Sequence, residues 1–147
     1  MGIGWSIHKN GGWQGQLNRV HRWHQRLVSS AITGSSDLED FAFTFFQNCY
    51  YLRDWVEKTS NTAGADLDLL FSQSRELQLC RDLCNGTKHL TISKPSIDAN
   101  FSIAREYDPS CEHKYRLVVI ADDKYDLLEL ADKCIREWES FLSEHAI

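Results

Sequence analysis

A chain of 147 residues, 42% hydrophobic and 25% charged, can bury the core of one domain and has the composition of an ordinary globular protein. No apolar run approaches the roughly 20 residues that cross a bilayer, which excludes a helical membrane protein. The net charge of −5 is unevenly spread: residues 1–36 hold Lys9, Arg19, Arg22 and Arg26 and no acid, for +4, and residues 37–147 hold 12 basic and 21 acidic side chains, for −9.

The N-terminal part is rich in Gly and lacks periodicity, so residues 1–15 are expected to form a loop-like or flexible arm and residues 16–147 one helical domain. From about Gln16 to Ile32, Leu17, Val20, Trp23 and Leu27 recur at helix spacing. This region interleaves its cations with Trp5, Trp13, Trp23, His21 and His24, a mixture that can contact phosphates and stack on bases. Four charges are too few for a nucleic-acid footprint, so the basic helix is expected to dock on an acidic body, in the same chain or in a partner.

Ser36 and Glu39 form a capping-box signature for a second helix from Asp37 to about Lys58. Its stripe is Leu38, Phe41, Phe45, Cys49, Leu52 and Val56, widened by Phe46 and Trp55. After a polar turn with Gly64, a third helical region is expected from about Asp66 to Asn85, with a break near Ser72–Ser74. Leu70, Leu77, Cys80 and Cys84 face inward, and Gly86 is the expected stop. Alternation over Phe101–Tyr107 and a strand-like run over Tyr115–Ile120, with Asp108-Pro109-Ser110 between them, predict an antiparallel hairpin. Asp122 or Asp123 is expected to cap a last helix that runs to about Ser143. The fold class is therefore mainly α, a bundle of about four helices with a small β-hairpin before the C-terminal helix.

Five cysteines, Cys49, Cys80, Cys84, Cys111 and Cys134, are an odd number at irregular spacing. With no signal-peptide pattern, they suggest free thiols in a reducing cytoplasm. No metal or other cofactor is expected. Cys80 and Cys84 share a helix face, Cys111-x-His113 lies in the hairpin turn, and His21-x-x-His24 lies on the first helix. Paired ligands at tight loop spacing are absent, and without a nearby acid His21 and His24 are expected on the surface.

Chemistry concentrates at Arg81-Asp82-Leu83-Cys84-Asn85-Gly86-Thr87-Lys88-His89. Arg81, Asn85 and Lys88 share a helix face and could converge on one anion with His89. The plainer alternative is a polar helix end, with Lys and His near the C-terminal dipole and Arg81 paired with Asp82 or Glu76. A second cluster is Arg53-Asp54-Trp55 with Asn48 and Tyr51. Asn48, on an aromatic helix, needs a hydrogen-bond partner, which the polar end of the third helix could provide. Asp54 could orient His89 or pair with Arg81, or instead pair with Lys58 one turn along.

Asn85-Gly86-Thr87-Lys88-His89, following two long helices, resembles the HEPN superfamily, helical domains found in many bacterial toxin and defence ribonucleases. Their signature is an Arg, a polar residue such as Asn, and a His a few residues beyond. By resemblance Asn85 and His89 match its Asn and His, and Cys84 stands where the Arg belongs. In that family the Arg and His of two subunits meet across a dimer interface and act on RNA without a metal.

The resemblance implies a homodimer and, with the Arg missing, a non-catalytic binding or dimerisation module for a nucleotide, RNA or a protein partner. Asn85, Arg53, Asp54 and Asn48 are the candidate ligand-binding residues. The alternative is a metal-independent endoribonuclease using His89 with Arg81 or Lys88. A third class is an acidic interaction or immunity-type protein that binds a basic partner.

Overall fold

The computed structural model describes residues 11–34, 37–89, 96–97, 101–110 and 115–145, with only the backbone at 88 and 89. Helix α1 (Gly12–Thr33) starts earlier than Gln16, because Gly11 and Gly12 take positive φ and open the helix against the far end of the next one. A Cβ on Gly12 would meet Thr59 Oγ1 at 3.2 Å, and that hydroxyl accepts the Trp13 N–H at 3.0 Å. Gly34 ends α1 with φ 67° and returns its N–H to Ser30 O, the left-handed stop for which glycine is suited.

Helix α2 (Leu38–Thr59) then runs back along α1. Each has 22 residues, about 33 Å at 1.5 Å per residue, so the two pair along their full length. Asp37 occupies the cap position of α2, while Ser36 of the expected capping box lies outside the described residues.

The third helical region is two helices, α3 (Gly64–Gln73) and α4 (Arg75–His89), broken within the expected Ser72–Ser74 window. Ser74 Oγ accepts the Leu77 N–H at 3.2 Å and so caps α4, while Gln78 Nε2 donates to Phe71 O at 2.7 Å and satisfies a terminal carbonyl of α3. Gly86 does not stop α4, which continues to His89. Glycine in a helix costs only about 1 kcal/mol relative to alanine. That last turn is held against α2 by the Gln47–Thr87 hydrogen bond at 3.3 Å.

Strands β1 (Ser102–Tyr107) and β2 (Tyr115–Ile120) form the expected hairpin, in register Arg105↔Leu117 and Tyr107↔Tyr115. A third strand, β3 (Lys124–Asp126), pairs with β2, so the sheet has three antiparallel strands in the order β1-β2-β3. This displaces the expected cap of the last helix, α5 (Leu127–His145). Asp122 pairs with Arg75, Asp123 turns back on Lys124, and Asp126 Oδ2 accepts the Glu129 N–H at 3.0 Å.

All five helices and β2 contribute to one core. Trp138 of α5 is fully buried, with Phe71 edge-on at 5.8 Å and Phe141 at 6.2 Å. Helix α1 supplies Val20 and Leu27 to that core, so it is an integral layer rather than an appended one. His21 and His24 are not free surface residues: α5 brings Glu139 to 3.0 Å from His21 and Asp132 to 3.7 Å from His24. No helix is long and apolar enough to cross a membrane, among the described residues.

Asp82 of α4 is 2% exposed and accepts the backbone N–H groups of Ser96 and Ile97, both at 2.7 Å. Removing the acceptor strands two half-buried donors. Asp82→Ala is therefore expected to lower stability by about 2–4 kcal/mol in urea denaturation, and by more than Arg81→Ala; equal losses would show that the carboxylate does not fasten this segment.

Candidate functional site

Among the described side chains of α4, Arg81 and Asp82 serve structural partners. Arg81 is engaged twice: its Nε donates to Ser96 Oγ at 2.6 Å, and its guanidinium lies over the Phe71 ring, 5.3 Å from the centroid. Its partners are neither Asp82 nor Glu76 by ion pairing, so α4 uses Arg81 and Asp82 together to hold the segment at Ser96–Ile97. Cys84 is buried and Asn85 half-buried. Lys88 and His89 end the helix, and their side chains lie outside the described residues.

Residues of the second cluster also have structural partners. Arg53 donates to Glu57 at 2.9 Å and to Asp68 at 2.5 Å, which ties α2 to α3. Asp54 is exposed and its ion pair is with Arg53 at 3.8 Å, neither with Arg81 nor with Lys58. The partner of Asn48 comes from α1 rather than from the third helical region. Buried Gln16 donates to Asn48 O at 2.9 Å and to Oδ1 at 3.3 Å, and Asn48 Nδ2 donates to Thr44 O at 2.9 Å.

Two of the concavities among the described residues bear on binding. A shallow one of about 380 Å³ reaches the end of α4, lined by Glu39, Phe43, Gly86, Thr87, Phe101, Ser102 and Ile103. The larger, about 480 Å³, opens between the C-terminus of α1, the start of α2, the sheet and the start of α5. Its walls carry Ala31, Ile32, Leu38, Leu117, Leu127 and Leu128, with Tyr115, Arg105, Arg116 and Asp126 among them. The volume is that of a small-molecule or side-chain cavity.

The cations of this cavity are already neutralised. Arg105 donates to Glu39 at 3.2 Å. Arg116 donates to Glu106 at 2.9 Å and lies 4.0 Å from Asp108 and Asp126, while its buried Nε makes no hydrogen bond. Lys124 and Arg116 beside Glu106 hold its carboxyl below the usual carboxylate range. Beside the cavity mouth, Ile32 is 56% exposed, Tyr115 55% and Tyr107 64%, with the two tyrosine rings 6.0 Å apart. Apolar side chains displayed together at a cavity are unlike the scattered ones of an ordinary surface.

No short motif marks this cavity, because its lining comes from six elements in two separate stretches of the chain, 31–38 and 105–128. The available signals were weak: Leu127-Leu128 at a helix start, and tyrosines at the ends of both hairpin strands.

No known protein family matches the chain, and no curated protein or solved structure does.

Between α1 and α5, burial lowers the His24 pKa below 6.5, opposed by the nearby Asp132 carboxylate. The unfolded chain then takes a proton at a pH where the folded one still resists it. Stability is expected to fall as pH drops below 6.5, levelling once the folded imidazole is also charged. Thermal melts between pH 8 and 5 should show a shallower decline for His24→Gln; unchanged slopes would remove His24 as the cause.

Proposed function

We propose that this chain is a non-catalytic binding module whose larger cavity receives an apolar segment of a protein partner. The observation that carries this reading is the apolar cavity continuous at its mouth with exposed Ile32, Tyr115 and Tyr107. Apolar anchors in a concavity, rimmed by polar groups, are the usual anatomy of a protein-binding site. Rim and nearby charges lean acidic, with Glu39, Glu106, Asp108 and Asp126 against Arg105, Arg116 and Lys124, and residues 37–147 carry −9. The partner segment is therefore one with basic residues beside its apolar ones.

The commitment of Arg105, Arg116 and Lys124 to carboxylates around the cavity speaks against nucleic acid as its occupant. Arg53, Arg75, Arg105, Arg116 and Arg136 all face carboxylates, and Arg81 is held by Ser96 and Phe71. A phosphate would have to break those contacts. The same commitment weighs against Arg81 as the cation of a ribonuclease. A HEPN-like origin of the Asn85–His89 end fits this reading as a degenerate, non-catalytic copy.

Two measurements test it. Mixed single-stranded RNA incubated with the protein in EDTA is expected to stay intact, with wild type and His89→Ala alike; metal-free cleavage lost in the variant would overturn the non-catalytic assignment. Peptides selected on the native protein from a random library are expected to combine apolar and basic residues. Their affinity should fall about tenfold or more in Leu128→Trp, which fills the cavity, and hold in Asn85→Ala. The opposite pattern would place binding at the end of α4.

A further inference from the structure

We propose that Cys49, Cys80 and Cys134 form a buried trigonal sulfur site for monovalent copper, separate from the surface cavity. The three thiols come from α2, α4 and α5, where those helices meet in the core, and all three are fully buried. Their sulfur atoms lie within 4.8 Å of one another. The centre of a triangle with 4.8 Å sides is about 2.8 Å from each corner, and a metal–thiolate bond is about 2.3 Å. A shift of about 0.5 Å per sulfur closes the site, within the reach of small side-chain rotations.

A single buried cysteine is ordinarily a small hydrophobe. Three converging from separate helices are a different case, and a second feature points to the same spot. Trp138 is fully buried, and its Nε1–H makes no hydrogen bond. It lies near enough to Cys49 to favour that thiol's charged form. A thiolate bound to a metal would draw that donor in, whereas a buried unsatisfied N–H is otherwise a standing cost. The neutral thiols have weaker uses for their own hydrogens: Cys80 donates to Phe46 O at 3.3 Å and Cys134 to Glu76 O at 3.4 Å.

Coordination number and ligand softness select the ion. Structural zinc takes four ligands, and no fourth His, Cys, Asp or Glu atom joins the cluster among the described residues. Soft thiolate sulfur favours monovalent copper, which three sulfurs satisfy. As Cu⁺ binds, the ligating thiols release their protons to solvent, because the thiolate is the form that holds a metal. No electron is transferred.

Fully reduced protein, both native and refolded from urea, is titrated with Cu(I) supplied as its acetonitrile complex, then desalted. One retained equivalent is expected, with sulfur-to-copper charge-transfer absorption in the near ultraviolet. The ion should slow alkylation of Cys49, Cys80 and Cys134 about tenfold or more under partial denaturation, read peptide by peptide in the wild-type chain. Cys84→Ala and Cys111→Ala should keep the ion, and Cys49→Ala/Cys134→Ala should lose it. Failure to retain copper after refolding, protection confined to Cys84 or Cys111, or retention by the double variant would each overturn the site. The peptide map decides even where the double variant does not fold.

Discussion

A carboxylate sits in the interior of this bundle, and much of the architecture follows from satisfying it. Asp82 is 2% exposed on α4, and an ionised group there is tolerable only with strong donors around it. Two backbone N–H groups at Ser96 and Ile97 supply them. That requirement fastens the chain just where it leaves the helices for the sheet. Arg81 adds a third tie to the same segment through Ser96 Oγ and covers Phe71 with its guanidinium. The adjacent cation and anion thus act as one clamp, and the clamp engages Arg81, one of the two cations, with Lys88, considered for a phosphodiester-cleaving site.

Ion pairing elsewhere follows the same economy. Arg53 joins α2 to α3, Arg75 meets Asp122 at the turn before β3, and Arg105 joins β1 to α2. Such exposed pairs contribute little stability individually, but they leave Arg53, Arg75 and Arg105 already engaged with carboxylates. What remains open is apolar: a cavity where α1, α2, β2 and α5 meet, with Ile32, Tyr115 and Tyr107 beside it. A surface of that kind suits a partner that brings its own hydrophobic side chains better than one that brings phosphates.

Helical periodicity made the bundle legible. The stripe from Leu38 to Val56 falls on buried positions except at half-buried Phe41, and the joint near Ser74 was visible as polar residues interrupting a helix. Alternation revealed β1 and a strand-like run revealed β2, but neither revealed β3, because three residues are too few for a period-two signal to emerge. Gly86 misled for a different reason: its helix is retained by packing on α2, which outweighs the local preference for a stop. Asn48 needed a partner, as its setting required, but that partner is Gln16, 32 residues earlier and on another helix.

The candidate site was the least legible part. Proximity in sequence suggested that Arg81, Asn85, Lys88 and His89 act together, yet side chains on one helix face are free to serve different neighbours, and Arg81 does. The larger cavity and the three-cysteine cluster are assembled from elements distant in the chain, so no local spacing announces them. The sequence by itself determined which segments are helical, which are extended and which faces are apolar, because these depend on periods of a few residues along one chain. Only the tertiary structure decided which polar groups are consumed as clamps, which thiols converge and where an apolar hollow stays open, because each depends on side chains that meet only after the helices pack.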